Sequence, residues 1–245
     1  MTFDHYPLEV SARFGSTPQT DPNQLRMWGK AYAPLNGAIR AAKRILDHGC
    51  GGGEFLEFLG DLTPAQLVGC DISSGQIELA RKRLDKRPGV LLRGIEPPAD
   101  EAPFDLVFSL HVIEHIPDAD LAAFVHDLCA RVGPGGKLVI ATPNGLNPVS
   151  HAYYMAADRT HVRMHSPLTL AQLLAGDGFR IDSVHRELPQ IYDFKTFLKT
   201  AVWWTFCLPL KLELLANAAG VRRHQVPLTL ASTFYVVASK DAREP

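Results

Sequence analysis

Two stretches of this sequence carry residue types that could hold a small ligand and act on it. The first is Asp47-His48-Gly49-Cys50-Gly51-Gly52-Gly53, with glycine at alternate positions. Glycine permits positive φ and lets a backbone approach a ligand closely, and a helix starting directly behind the loop offers free N–H groups. A dinucleotide loop reads G-x-G-x-x-G, but the third glycine position here is Glu54, an acid that opposes a pyrophosphate. A zwitterionic amino-acid ligand with a sulfonium tolerates such a loop better. Asp71 follows 24 residues after Asp47. At the end of a second strand its carboxylate can accept hydrogen bonds from both hydroxyls of a ribose; the competing reading is a cap for the turn before Ser73.

The second stretch is a scatter of histidines, the usual side chain for moving a proton near neutral pH. Of the ten in the chain, His111 and His115 follow a predicted strand in His111-Val112-Ile113-Glu114-His115, and His161 ends Asp158-Arg159-Thr160-His161. His126 falls on the polar face of a predicted helix and reads as solvated.

The elements that must position these residues follow from periodicity. From Arg44 onward, short apolar runs alternate with helical periods, the pattern of a βαβ series. Strands are expected at Ile45–Asp47, Leu67–Cys70, Val90–Leu92, Phe104–Leu110 and Lys137–Ala141. The intervening helices bury Phe55, Phe58, Leu59 and Leu62, then Ile77, Ala80 and Leu84, then Leu121, Phe124, Val125, Leu128 and Val132. Gly133-Pro134 stops the third of these, and Ser166-Pro167 starts a further helix that Gly176 and Gly178 end. Two late strands, from Phe179 toward Leu188 and over Thr233–Ser239, are separated by a long insertion. In a doubly wound sheet, ligands sit beyond the carboxyl ends of the strands at the switch in strand order. That places Asp47, Asp71, His111 and Thr142 together.

Four segments in this order, ILDHGCGGGEF, LVGCDISSGQIELARKR, FDLVFSLHVIEHIPD and GPGGKLVIATPN, resemble the successive motifs of the class I S-adenosylmethionine-dependent methyltransferases over Arg44–Asn144. The resemblance implies an α/β, Rossmann-like, seven-stranded, mostly parallel sheet with an antiparallel last strand, helices on both faces and a C-terminal helical insertion. It implies S-adenosylmethionine as cofactor, with Asp47, Gly49, Cys50 and Gly51 around its methionine part and Asp71 and Ile72 at the ribose. Ile95 then packs near the adenine, and Leu110 and His111 close the site. More loosely, ATPNGLNP, DRTHVRMHSP and GDGF are similar to methyltransferases among bacterial surface-polysaccharide proteins, and more distantly to quinone-pathway O-methyltransferases.

For a hydroxyl acceptor, a base helps remove the proton as the bond to carbon forms. His161 is assigned as that base or as a contact to the acceptor hydroxyl, with Asp158 orienting it, against a loop-stabilising hydrogen bond. His111 is a second catalytic candidate or a wall of the cofactor site. The leading expectation is O-methylation of a sugar hydroxyl in polysaccharide or glycolipid synthesis. The alternatives are a phenolic or quinone-like acceptor, and a non-catalytic S-adenosylmethionine-binding protein.

Composition narrows the rest. Lysine plus arginine (25) nearly balances aspartate plus glutamate (26), so no bulk field draws nucleic acid, and the cluster Arg81, Lys82, Arg83, Lys86, Arg87 reads as a wet helix face. Four cysteines without C-x-x-C spacing argue against disulfides or a zinc ribbon, and no metal is expected. The start of the chain lacks the basic and apolar regions of a signal peptide, so a cytoplasmic setting is expected. The expected domains are a helical extension over 1–43 and a methyltransferase domain over 44–245, with a cofactor half at 44–144 and an acceptor half at 145–245. Within the latter, a helical lid is expected at about 192–218. Its AVWWTFCLPL run is half the ~20 residues a membrane span needs. It reads as a lid, as a peripheral contact at the inner membrane face, or as a homodimer surface. Trp28 and Tyr32 lie in a possible N-terminal helix that closes over the cofactor, with Arg26 or Lys30 at its carboxylate, or simply packs on the sheet.

Overall fold

The computed structural model describes residues 20–94, 102–186 and 231–240, with 198, 201, 202, 205, 208 and 209. Helices α1 (Pro22–Ala31) and α2 (Asn36–Ala41) lead into strand β1 (Arg44–His48). Then come α3 (Glu54–Gly60), β2 (Gln66–Cys70), α4 (Ser74–Leu84), β3 (Val90–Leu92) and β4 (Phe104–Leu110). A 3-10 turn at Ile113–His115 precedes α5 (Asp118–Ala130), β5 (Val132–Pro143), α6 (Pro148–Ala157), α7 (Pro167–Ala175), β6 (Phe179–Arg186) and β7 (Thr233–Lys240).

The seven strands form one sheet in the order β3-β2-β1-β4-β5-β7-β6. All pairings are parallel except those of β7, which runs antiparallel to both neighbours. Strand order therefore reverses between β1 and β4, and the crevice at their carboxyl ends is where an open α/β sheet receives its ligand.

Period-two alternation sorts the strand side chains to two faces. Ile45, Leu67, Leu106, Phe108 and Val139 pack with Phe55, Leu56, Leu59 and the N-terminal helices. Leu46, Val68, Val107, Leu138 and Ile140 pack with Leu121, Val125 and Leu128 of α5 and with Leu170 and Leu174 of α7. Side-chain caps fix where helices begin: Asp21 accepts from the Asn23 amide and Ser73 from the Gln76 amide, and Ser166 with Thr169 forms a reciprocal capping box. The N-terminal helix packs on the sheet through aromatics. Trp28 meets Phe55 and Phe58, Tyr32 meets Phe55, Phe108 and Tyr235, and the Tyr235 hydroxyl donates to the Ala31 carbonyl. Arg26 and Lys30 are exposed on its far side.

The expected strand centres and sheet stand, with three corrections. Val132, expected on the buried face of the third helix, instead opens β5 together with Gly133-Pro134, because α5 ends at Ala130. Helix α6 was not anticipated, although Asn147-Pro148 carries the same cap-then-proline signal as Ser166-Pro167, and the Asn147 side chain accepts from the Val149 and Ser150 amides. Arg83 does not belong to a wet face: its side chain is 4% exposed and points into the molecule, where two glutamates neutralise it. The lid expected at 192–218 lies largely outside the described residues, as does Ile95. Among the described residues, no helix is long and apolar enough to cross a membrane.

Candidate functional site

The glycine loop turns at the end of β1. The Gly49 and Cys50 amides both donate to the Cys70 carbonyl, at 2.8 and 2.9 Å, which ties the loop to the end of β2. Gly49 has φ +82°, and a Cβ built there would lie 2.3 Å from Val112 Cγ2, so Val112 fills the space a side chain would need. Gly51 has φ +51° and nothing near its own missing Cβ. The loop is thus closed on the side of Val112 and open at Gly51, a cradle that only glycine leaves vacant for a ligand. Cys50 is buried, and burial pushes its thiol well above the ordinary range, which leaves it a packing residue rather than a nucleophile.

Asp47 lies beneath this loop, buried at the end of β1, and its Oδ2 makes no hydrogen bond among the described residues. Burial, with the neighbouring Asp71 and Glu54 charges, pushes its carboxyl up to about 8. A buried carboxyl beside further acids, with an unmade bond, is a site for a cation. His48, the next residue, is driven neutral in the opposite sense: burial lowers it to about 4. Its ring packs against Phe124 of α5.

Asp71 takes up the turn-capping role that competed with ribose binding. Its Oδ1 accepts from the Ser73 amide at 2.8 Å and its Oδ2 from the Gly51 amide at 2.9 Å, so it organises the turn before α4 and holds the glycine loop. Burial raises its carboxyl, while the Ser73 and Gly51 amides pull it back down. Each oxygen retains a lone pair for a hydroxyl donor. Ile72 beside it is an exposed apolar side chain.

Glu54 is not the bare acid expected from its place in the loop. Its Oε1 receives the Arg83 Nη2 at 2.6 Å, while Arg83 Nε donates to the Gly52 carbonyl at 2.8 Å and Nη1 to Thr20 at 2.8 Å. Arg83 thus neutralises the loop acid that would oppose a pyrophosphate.

On the other side of the crevice, His111 follows the half-buried Leu110 at the end of β4 with φ +58°. It is the single non-glycine residue with positive φ among those described, and the conformation costs about 1–2 kcal/mol. Its half-exposed ring has Nδ1 3.4 Å from Glu114 Oε1. Glu114 is fully buried, and its Oε2 accepts from Thr142 at 3.0 Å. Burial alone would raise its carboxyl, but the contact with His111 and the imidazoles of His111 and His115 hold it below the ordinary range.

The loop carrying Asp158 and His161 is pinned to this turn, since the Val162 and Arg163 amides both donate to the Glu114 carbonyl. Asp158 Oδ1 accepts from the Thr160 amide and hydroxyl, at 2.8 and 2.6 Å, and these bonds hold its carboxyl below its ordinary value against the effect of burial. The Thr160 oxygen is 2.9 Å from His115 Nδ1, and the His115 and His161 rings stand 4.7 Å apart. His161 Nδ1 is 2.8 Å from the Tyr154 carbonyl of α6, so Tyr154 orients the ring directly. Asp158 Oδ2 stands 3.9 Å from Nε2, and the Asp158 carbonyl accepts from the His161 amide at 3.2 Å. Sequence reasoning missed Glu114 as a site residue and noted His115 only as a histidine after a predicted strand; the 46-residue separation of His115 from His161 hid their meeting. His126 is exposed and pairs with Asp177 across to the end of α7.

Comparisons with known proteins bear on the whole of this arrangement. A family model described as a methyltransferase domain matches residues 22–184. The chain is 38% identical to a ubiquinone biosynthesis O-methyltransferase of Maricaulis maris over 120 residues, 46% of this chain and 44% of that enzyme. It is 36% identical to one of Alkalilimnicola ehrlichii over 141 residues, 56% of this chain and 54% of the other. The chain thus matches about half the length of these curated relatives. Among solved structures, it superposes on a magnesium protoporphyrin IX methyltransferase from Synechocystis with bound SAH at TM-score 0.61 and 14% identity, covering 98% of this chain and 96% of that one. A SAM-dependent methyltransferase from Archaeoglobus fulgidus gives 0.59 and 23%, covering 97% and 100%.

Proposed function

Because the chain belongs to the class I S-adenosylmethionine-dependent methyltransferase family, we propose that it methylates a hydroxyl oxygen of a phenolic or quinone-like small molecule. When bound, S-adenosylmethionine supplies a methyl group already activated on a sulfonium. The residues around the crevice fit it. Asp47 offers a buried carboxyl with an unmade bond to the positive end of the ligand, and Gly49, Cys50 and Gly51 offer backbone over an open cradle. Asp71 keeps lone pairs for the ribose hydroxyls, and Ile72, Leu110 and His111 border the rest.

The acceptor reaches the same crevice between His111 at the end of β4 and His161 in the loop after α6. In-line transfer needs alignment first. It then needs a group to take the proton as oxygen bonds to carbon, for which a phenol near pKa 10 requires help at neutral pH. The observation that carries the choice of acceptor is the set of relatives at 34–38% identity named ubiquinone biosynthesis O-methyltransferases. These favour the phenolic reading over the sugar hydroxyl that led the expectations from sequence. A cytoplasmic setting, with or without peripheral membrane contact or a homodimer, is compatible with this role.

The test is incubation of the purified protein with S-adenosylmethionine and a panel of catechols, hydroxyquinols, nucleotide sugars and glycolipids, with products read by mass spectrometry. A mass gain of one methyl on the phenolic members is expected. Transfer confined to the sugars would overturn the acceptor assignment, and no S-adenosylmethionine binding by calorimetry would overturn the enzyme assignment.

A further inference from the structure

Arg83 reaches the glycine loop from the side of α4. Its Nε donates to the Gly52 carbonyl at 2.8 Å, its Nη2 to Glu54 Oε1 at 2.6 Å, and its Nη1 to the Thr20 hydroxyl oxygen at 2.8 Å. The Thr20 hydroxyl in turn donates to Glu57 Oε2 at 2.5 Å, and that oxygen also lies 3.4 Å from Arg83 Nη1. A buried guanidinium is destabilising unless its fork is fully paired. Here the pairing joins the glycine loop, α3, α4 and the buried Thr20 directly ahead of α1.

The loop needs such a joint. Gly51, Gly52 and Gly53 are consecutive, and glycine loses more freedom on ordering than any other residue. A loop ordered before its ligand arrives binds it more tightly than one the ligand must order. Asp71, ahead of α4, holds the Gly51 amide, and Arg83, about two and a half turns into that helix, holds the Gly52 carbonyl. Ala80 and Leu84 fill the space of a Cβ at Gly53, 3.1 and 2.9 Å from it, and the Glu54 carboxylate stands 2.9 Å from the same position at Gly52. A carboxylate on a flexible stem becomes a fixed wall when Arg83 holds it. The loop is then closed at Gly52 and Gly53 and open at Gly51.

We propose that Arg83 is a positioning residue for the cofactor: it clamps the Gly52 carbonyl and, through Thr20, makes the seating of α1 part of cofactor affinity. The identity of the ligand rests on the methyltransferase reading; the clamp itself is a property of the ligand-free chain. Coupling of this kind is reciprocal, so bound cofactor holds the start of α1 by the factor that Thr20 contributes to cofactor binding. A role through charge alone would leave a different mark. Without Arg83, Glu54 and Glu57 regain their negative field beside the cradle. That field favours S-adenosylmethionine, a cation, over S-adenosylhomocysteine, which has given up that charge with its methyl group. A displaced loop weakens both ligands alike.

The test uses the full chain, with calorimetry for both ligands and amide hydrogen exchange on the ligand-free protein. Arg83→Gln should weaken the two ligands equally, by ~10-fold, and Thr20→Val by ~3-fold. The double variant should lose no more than Arg83→Gln alone, because the two side chains act through one contact. Arg83→Lys keeps the charge without the fork and should resemble Arg83→Gln. In steady state the KM for S-adenosylmethionine rises in these variants, while kcat at saturating cofactor and the KM for the acceptor stay at wild-type values. Exchange across the glycine loop quickens in both single variants, and cofactor slows exchange at the start of α1 in wild type but not in Thr20→Val. Unchanged loop exchange, or ligand affinities equal to wild type, would overturn the clamp, as would a change confined to the preference between the two ligands. If Arg83→Gln does not fold, Thr20→Val decides on the same readouts. Failure of the wild type to bind either ligand would remove the methyltransferase reading, and loop exchange would still decide the clamp.

Discussion

The two walls of the crevice are built by different means. The wall at β1 and β2 is mostly backbone: glycines 49, 51 and 53 at positive φ, amides bonded to the Cys70 carbonyl, and two acids within one short span. The wall beyond β4 is built of side chains. His111 holds a strained backbone, and Glu114, Thr142, His115, Thr160, Asp158 and His161 form one chain of contacts drawn from three separate segments. A backbone wall suits a ligand that every relative shares, since main-chain donors do not change with sequence. A side-chain wall suits an acceptor that differs between relatives, because each contact can be altered alone.

The contrast is broken most forcefully at Asp47, where a side chain lies under the backbone wall. Its folded carboxyl sits near 8, above the ordinary value of 3.8. The folded state therefore holds a proton that the unfolded state has lost, and stability falls as pH rises from about 4 through 8. Asp47→Asn removes that loss. The ligand-free variant should match wild type near pH 4 and exceed it by several kcal/mol at pH 8, while S-adenosylmethionine affinity drops. Parallel denaturant titrations across pH check the first part, and a wild type that gains stability from pH 4 to 8 relative to the variant contradicts it. On the opposite wall, His161→Ala should leave the cofactor affinity intact and lower methyl transfer ~10²- to 10⁴-fold. Steady-state rates at saturating cofactor test this; a wild-type rate from the folded variant would place His161 outside the chemistry.

His48 sharpens the comparison within a single strand, because it adjoins Asp47 yet faces the other side of the sheet. Burial lowers its folded value to about 4 from 6.5. The unfolded state then binds the extra proton first, so this contribution is whole above pH 6.5 and is lost as pH falls toward 4. The loss reaches about 3 kcal/mol. His48→Gln should flatten the acid limb of the stability profile by that amount, as read from denaturation midpoints at pH 4 and 7. An unchanged acid limb would show that Asp127, 3.9 Å away, already stabilises the charged ring.

The same difference explains what the sequence disclosed. The backbone wall is local: glycines, Asp47 and Asp71 lie within 25 residues, and alternation of apolar residues is enough to find the strands that end on them. The side-chain wall depends on which loops meet. Nothing in Glu114-His115 or in Asp158–His161 states that the Val162 amide will dock on the Glu114 carbonyl and bring the two histidines together. Arg83 failed for a related reason. A cluster of five basic residues from Arg81 to Arg87 looks solvated, and only the packing of α4 against α3 shows that Arg83 faces Glu54, Glu57 and the Gly52 carbonyl. Helix α6 was the one omission with a readable signal, its Asn147-Pro148 start.

Asp71 gives the smallest expected effect and the finest test, because it belongs to the backbone wall and also touches the ligand in the proposed mode. Asp71→Asn should weaken S-adenosylmethionine by roughly 10- to 100-fold, the value of one charge-assisted hydrogen bond. That loss alone has two sources, since the Gly51 amide loses its carboxylate partner together with the ribose. A cofactor analogue lacking one ribose hydroxyl separates them. If Asp71 binds the ribose, wild type prefers the intact cofactor over the analogue and the variant does not, so the two losses are not additive. If Asp71 only braces the loop, both proteins discriminate equally and the losses add. The second outcome would make the β1–β2 wall a purely main-chain site, with Asp71 as its scaffold.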